Sequence, residues 1–269
     1  MRKLLFIPYL IWIVLFVVAP LGLMVGYSFF DISGNPTLEN YGAFFSSEYF
    51  EMTLSSFWYA FLITLFSLLV SYPLALAIRQ TKHKMFWLLL IILPTWINLL
   101  LKTYAFIGMF GKEGLVNAVA AAFGLGELQL LFSDVAFIIV SVYIFIPFML
   151  LPIFNAVDGI DSNLLSAARD LGASKWDTLR RVLLPLSLPG IKTGIQVVFI
   201  PSLSLFMITR LITGNKVITL GTAIEQQFLT TENWGMGATI GVFLIIAMML
   251  VMTVTSGRSN KETGRVGRL

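Results

Sequence analysis

The sequence predicts an all-α membrane protein that crosses the bilayer six times and keeps both ends in the cytoplasm. Three observations predict it. Of 269 residues, 58% are hydrophobic and only 12% are charged, about half the charged share of an ordinary soluble domain. Six apolar stretches approach or exceed the roughly 20 residues that a helix needs to cross hydrocarbon. Lysine and arginine fall overwhelmingly into alternate connections, the bias that orients membrane helices.

The first element, residues 4–30, comes after Arg2 and Lys3, as a signal peptide would. Its apolar run is much longer than the roughly 7–15 residues of a signal core, and no A-x-A site comes after it, so it forms a retained first span. The stretch "DISGNPTLENYGAFFSSEYFEM" is aromatic and acidic, with Asp31, Glu39, Glu48 and Glu51. Residues 57–78 and 85–110 are the next two spans, joined by the basic turn "RQTKHK". "GKEGLVNAVAAAFGLGELQLL" reads as a short helix lying on the outer surface. Residues 131–157 form the fourth span, 158–185 a charged connection, 186–212 the fifth span and 235–256 the sixth. Between the last two, "TGNKVITLGTAIEQQFLTTENW" holds Glu225 and Glu232. Pro73, Pro94, Pro147 and Pro201 interrupt spans. Each removes a backbone donor, which makes it a packing kink or a hinge.

With the N-terminus inside, alternation assigns 14 of the 18 basic residues to the cytoplasm: Arg2, Lys3, Arg79, Lys82, Lys84, Arg169, Lys175, Arg180, Arg181, Lys192, Arg258, Lys261, Arg265 and Arg268. The outer half receives Lys102, Lys112, Arg210 and Lys216.

Composition also excludes chemistry. There is no cysteine, and the one histidine, His83, sits in the basic turn. Thiolate sites, multi-histidine metal sites and Ser-His nucleophiles are therefore not expected. An intramembrane hydrolase would lack its base. A six-span channel would need a filter or a charged pore ring, and none is visible. No catalytic residue, metal ligand or nucleic-acid partner is expected.

The charged connection is the least expected part of an apolar chain. Asp161 or Ser162 can cap a helix start, and Leu164, Leu165, Ala168 and Leu171 share one helical face. Gly172 stands where a glycine ends a helix with positive φ. Ser174 can open a second helix, with Asp177 three residues on. Trp176, Leu179, Val182 and Leu183 continue the apolar stripe, while Arg180 and Arg181 face water. Pro185 opens the next span. Two readings stand: an amphipathic loop resting on lipid headgroups, or a short rigid helix offered to a cytosolic partner's groove.

"SAARDLGASKWDTLRRVLLPLSLPGI" resembles the EAA motif of the membrane subunits of ABC importers. Ala167, Ala168, Gly172, Ala173, Leu184 and Pro185 match it, and Ser166 stands where that family usually has Glu. "LLKTYAFIGMFGKEGLVN", "IFIPFMLLPIFNAVDGID", "LPLSLPGIKTG" and "GTAIEQQFLTTENWGMGA" extend the likeness across the chain, towards the spermidine/putrescine permease family. Permeases for iron chelates, phosphonates or inorganic anions share parts of the pattern. The resemblance implies the type I ABC importer transmembrane fold. It implies two membrane subunits, the second a non-identical permease, with two cytosolic ATPases and an external substrate-binding protein. It also implies that Ser166, Ala167, Ala168, Asp170, Leu171, Gly172, Ala173, Trp176 and Pro185 belong to a coupling helix seated on the ATPase. The chain carries no G-x-x-x-x-G-K-[ST] phosphate loop. It is thus expected to be no enzyme and to hold no cofactor, with ATP and Mg bound by the ATPase.

Polar groups within spans are candidates for the substrate path: Asn98, Tyr143, Gln196 and Ser202, with Lys102, Thr103, Ser204 and Thr209 nearby in the sequence. A Ser or Thr in such a helix more often bonds its own backbone. Asn98 and Gln196 carry both donors and acceptors and are stronger candidates. A polycation should meet acids at the outer mouth, where Glu225, Glu232 and Asp134 are expected. Lys102 and Arg210 would oppose a cation there unless they snorkel to the interface or hold an acidic partner.

Overall fold

The structure is a computed structural model and describes residues 6–255. Residues 4, 5 and 256 of the expected first and last spans lie outside it, as do Arg2, Lys3, Arg258, Lys261, Arg265 and Arg268 of the charge count. Among the described residues, five helices are long and apolar enough to cross a membrane: α1 (Ile7–Tyr27), α3 (Ser47–Arg79), α7 (Asp134–Asp158), α9 (Lys175–Ser202) and α12 (Trp234–Thr255). A sixth crossing is a bent pair, in which α4 (Lys84–Trp96) and a second arm over Leu99–Ala122 are turned by 94°. The second arm comprises α5 (Leu99–Phe110) and α6 (Leu115–Ala122). Shorter helices are α2 (Glu39–Phe44), α8 (Ser162–Asp170), α10 (Met207–Thr213) and α11 (Leu220–Leu229).

Three boundaries differ from the sequence expectation, each for a physical reason. Helix α3 begins about ten residues before 57 and runs for 33 residues, about 50 Å at 1.5 Å per residue. Apolarity marks hydrocarbon rather than helix, and the first turns of α3, with Glu48 and Glu51, extend beyond it. The span expected at 85–110 is broken. A 3₁₀ turn at Leu93–Trp96 carries Pro94, Ile97 is extended, and Asn98 restarts the chain as α5. The span expected at 186–212 begins earlier, at Lys175, and ends at Ser202, so α10 is a separate helix. Pro185 therefore does not open α9. The helix runs through it because Leu179–Leu183 is a π turn, in which the Leu184 N–H reaches the Leu179 carbonyl. The same device precedes Pro20, where the Ala19 N–H bonds the Val14 carbonyl. One extra residue in the turn moves the backbone clear of the proline ring.

Helix α7 is the axis of the bundle. Phe137, Val140, Met149, Leu150, Ile153 and Val157 on it are fully buried, packed between α3 and α9. A second core joins α2, α11 and α12: Phe44 stacks on Phe243 with ring centroids 3.9 Å apart, above Leu203, Leu220, Met236 and Ile240. The second half of α1 lies along α12, while its apolar window is not buried by the rest of the chain.

The close approach of α9 to α7 depends on small residues, as membrane helix contacts commonly do. A Cβ at Gly190 would lie 2.4 Å from the Ala156 Cβ and 2.5 Å from the Pro152 carbonyl oxygen. A Cβ at Gly194 would meet the Met149 sulfur at 2.7 Å, a flexible atom that can swing aside. Gly190→Ala should therefore destabilise the bundle by about 1–3 kcal/mol and Gly194→Ala by less. Thermal unfolding of the purified protein in detergent checks the ranking, and equal melting temperatures for the two variants would contradict it.

Candidate functional site

The charged connection folds as the capping residues dictate. Asp161 starts α8 by accepting the Asn163 N–H at 2.9 Å. The helix ends in a Schellman arrangement. The Gly172 N–H bonds the Arg169 carbonyl at 2.8 Å and the Ala173 N–H bonds the Ala168 carbonyl at 3.0 Å, with Gly172 at φ +82°. These are the two bonds that satisfy the last carbonyls of such a helix. Ser174 then caps α9, its hydroxyl oxygen accepting the Asp177 N–H at 3.1 Å while the hydroxyl itself donates to the Asp177 carboxylate. Arg181 lies 3.6 Å from the same carboxylate.

The apolar stripe expected here is only partly covered by this chain, with Leu179, Val182 and Leu183 half-buried. Leu171 is 89% exposed, Trp176 67% and Leu164 50%. Leu165, Ala168 and Ala173 are half-buried, and Ser166, Ala167 and Asp170 face solvent. Pro185 is exposed on the flank of α9. Helix α8, its closing turn and the first turn of α9 therefore leave three large apolar side chains uncovered by this chain.

Two anchors tie its base to the rest, and neither was apparent in the sequence. Arg79, the last residue of α3, donates from Nη2 to the Ile160 carbonyl at 2.7 Å. Lys84, the first residue of α4, pairs with Asp158, the last of α7. The only signal was a basic turn and an acid at a helix end, of opposite charge and 74 positions apart.

The residues expected on a substrate path are not gathered into one cavity. Asn98 accepts the Leu100 N–H at 2.8 Å and so caps α5. Tyr143 packs edge-to-face on Phe106, ring centroids 5.1 Å apart. Gln196 donates to the Thr255 hydroxyl at 2.7 Å, fastening α9 to α12. Ser202 is buried and bonds the Val198 carbonyl of its own helix at 2.7 Å. Glu225 differs. It meets Arg210 at 2.7 Å, across a cavity of about 260 Å³ between α10 and α11 that Asn215, Thr222, Gln226 and Thr230 also line. Arg210 thus has the acidic partner that the sequence left open. Elsewhere at that end, Asp134 accepts the Tyr59 hydroxyl at 2.8 Å, and Glu232 sits at φ +52°.

The anchors make a stability prediction. Both partners of the Lys84–Asp158 pair are partly exposed, so its loss should cost no more than about 1 kcal/mol globally. Its local effect should be larger. Asp158→Asn should speed amide hydrogen exchange in residues 160–172, and the reversed pair, Lys84→Asp with Asp158→Lys, should restore protection. Unchanged exchange in Asp158→Asn would show that α8 holds its place without the pair.

Comparison with known proteins places this geometry. The structure superposes on a chain of a bacterial alginate ABC transporter, solved in complex with an alginate pentasaccharide-bound periplasmic protein. The TM-score is 0.80 over 94% of this chain and 92% of that one, at 18% identity, which establishes the shared fold. The chain is 33% identical over 264 residues to the spermidine/putrescine transport system permease protein PotB of Haemophilus influenzae, covering 94% of this chain and 92% of the relative. It is 35% identical over 253 residues to PotB of Escherichia coli, covering 90% and 92%. It is 27% identical over 143 residues to the PotC permease protein of the same organism, covering 53% and 52%. The model of the family "binding-protein-dependent transport system inner membrane component" matches residues 4–258. The chain thus belongs to that family, as a multi-pass, all-α membrane subunit of an ABC importer.

Proposed function

We propose that this chain forms one half of the translocation path of a polyamine importer, and that α8 couples it to ATP hydrolysis. One observation carries the substrate: relatives named for spermidine and putrescine transport align with it over nine-tenths of its length. The second half of the path is a non-identical permease, a reading supported by the partial likeness to PotC. An external binding protein delivers the substrate, and two cytosolic ATPases hold ATP and Mg.

The coupling reading rests on α8 itself. A short, doubly capped helix, with the capped turn that follows it, presents Leu164, Leu171 and Trp176 to water and has the form that docks in a partner's groove. Ser166, Ala167, Ala168, Asp170 and Ala173 make up the rest of that surface. Arg79, Lys84, Arg169, Lys175, Arg180 and Arg181 cluster at the same end, which supports a cytoplasmic location for it and for both termini. Docking moves α8, and the continuous helix α9 carries the motion through Pro185 into the membrane.

The test is uptake by the reconstituted complex, with permease pair, ATPases and binding protein. ATP-dependent accumulation of labelled spermidine or putrescine is expected, and its absence would refute the substrate assignment. Gly172 supplies the coupling test. No atom lies within 4 Å of a Cβ built there, so substitution acts through backbone strain alone, about 1–2 kcal/mol for a non-glycine residue in the left-handed region. Gly172→Val should assemble normally and lose uptake, whereas Gly172→Asn, which tolerates that region, should retain much of it. Normal uptake by an assembled Gly172→Val complex would remove the turn from the coupling route.

A further inference from the structure

We infer that α6 is an interfacial anchor, with Leu115, Val119 and Phe123 set among the lipids of the outer leaflet. The choice of leaflet rests on the orientation proposed above, and the contact with lipid does not. Three sides of α6 are built from different residues. Val116 packs against the main core and Ala120 is buried, so that side faces the bundle. Leu115, Val119 and Phe123, the last at the C-cap, recur at i+4 spacing and form one stripe. All three are exposed, Phe123 at 80%. At about 100° per residue, Ala118 and Ala121 lie roughly 130° around the axis from that stripe. They line a cavity of about 350 Å³ whose wall also carries Lys112, Glu113 and Glu127. Lys112 and Glu127 are 3.5 Å apart and open to solvent. The charged side therefore marks water, and the stripe is turned away from it. A helix divided in this way beside a membrane bundle lies in the interface, with its charges towards water and its apolar residues towards the acyl chains. A soluble partner arriving from water would meet the charged side first.

Depth and direction agree with that side. Helix α4 begins at Lys84, which pairs with Asp158 at the end carrying α8. Its 9 α-helical and 4 3₁₀ residues rise about 20 Å, two-thirds of a roughly 30 Å hydrocarbon core. The chain then turns by 94°, so the arm that carries α6 runs along the bilayer rather than out of it. Leu90 and Leu93 on α4 and Leu101 on α5 are exposed as well, so the apolar surface of the crossing arm continues onto the turned one. The stripe is also held in place by this chain alone. Asn117 is buried. It donates from Nδ2 to the Gly111 carbonyl at 3.0 Å and accepts the Leu128 N–H at 2.8 Å. One side chain thus ties the segments before and after α6, and the apolar stripe is presented by a fixed element. Such exposure is unfavourable in water and is not in hydrocarbon.

The chain has no cysteine, so single thiols can be placed and spin-labelled without background. Val119→Cys and Phe123→Cys probe the stripe, and Ala118→Cys and Ala121→Cys the charged side. Each is studied in the assembled complex, reconstituted in phosphatidylethanolamine/phosphatidylglycerol vesicles. The readout is collision of the label with oxygen, which concentrates in lipid, against collision with a water-soluble nickel chelate. The oxygen-to-nickel ratio should be severalfold higher on the stripe than on the charged side. Equal ratios, or greater nickel access on the stripe, would overturn the anchor. Shielding of the stripe labels from both reagents, with or without the external binding protein, would also overturn it, because protein would then cover them. If a label at Phe123 prevents assembly, Leu115→Cys takes its place. A membrane-impermeant maleimide, applied to sealed right-side-out vesicles, tests the leaflet separately, and the Ala118→Cys and Ala121→Cys thiols should react from outside. Reaction only after the vesicles are opened would overturn the orientation and the outer leaflet with it, a result distinct from a failed contact with lipid.

Discussion

The fold depends on keeping backbone donors and acceptors paired where no water is available. Proline tests that constraint, since it removes a donor and pushes its ring against an earlier carbonyl. Pro73, Pro147, Pro152, Pro189 and Pro201 stand inside helices that continue through them, and at three other prolines the chain answers in two ways. Before Pro20 and Pro185 a π turn inserts one residue, and the preceding residue reaches five positions back, Ala19 to Val14 and Leu184 to Leu179. The helix stays continuous. At Pro94 the chain stops, passes through an extended Ile97 and restarts under the Asn98 cap. Continuity is kept where a rigid rod is needed, and it is given up where a turn of 94° is wanted.

That difference determines how the charged connection is held. On its C-terminal side, α9 begins at the Ser174 cap and runs without a break through Pro185 to Ser202. No hinge separates the water-exposed first turn from the part packed on α7. On its N-terminal side, the Lys84–Asp158 pair and the Arg79–Ile160 bond join the end of α7 to α3 and α4. The one permissive point in the segment is Gly172. A displacement of α8 is therefore divided between two stiff connections, one along a single helix and one across three.

Much of this was legible in the sequence. Both caps, the Gly172 turn and the apolar stretches are local properties, set by residues within a few positions of each other. What escaped was not local. The early start of α3 was hidden because Glu48 and Glu51 lower apolarity without opposing helix. The single helix across Pro185 was hidden because a proline reads as a start until the π turn is seen. What covers Leu171 and Trp176 was left open between lipid headgroups and a partner's groove, because a helical stripe says which side is apolar, and nothing about what covers it. The in-span polar residues were candidates by chemistry alone. Three-dimensional neighbours reassigned Asn98 to a cap, Ser202 to its own helix and Gln196 to Thr255, and left Glu225 beside a cavity.

The ion pairs near the two ends of the bundle are built differently. At the end carrying α8, Lys84 and Asp158 are similarly exposed, 40% and 32%. Neither gains by leaving the other, and each closes a helix terminus, where acids are disfavoured and bases favoured at a C-terminus. Asp158, an acid at the C-terminus of α7, is held there by Lys84 against that preference. Removing Lys84 would leave the carboxylate alone at the negative end of the helix dipole. At the opposite end Arg210 stands in the last turn of α10, 60% exposed, against the 16% exposed carboxylate of Glu225 on α11. A base is favoured in a helix's last turn, so this pair follows the preference that Asp158 opposes. The same elementary contact, a base against an acid at bonding distance, therefore offsets an unfavourable helix end in one place and shields a half-withdrawn carboxylate in the other. Burial and helix position of the two partners, rather than the distance between them, make the difference.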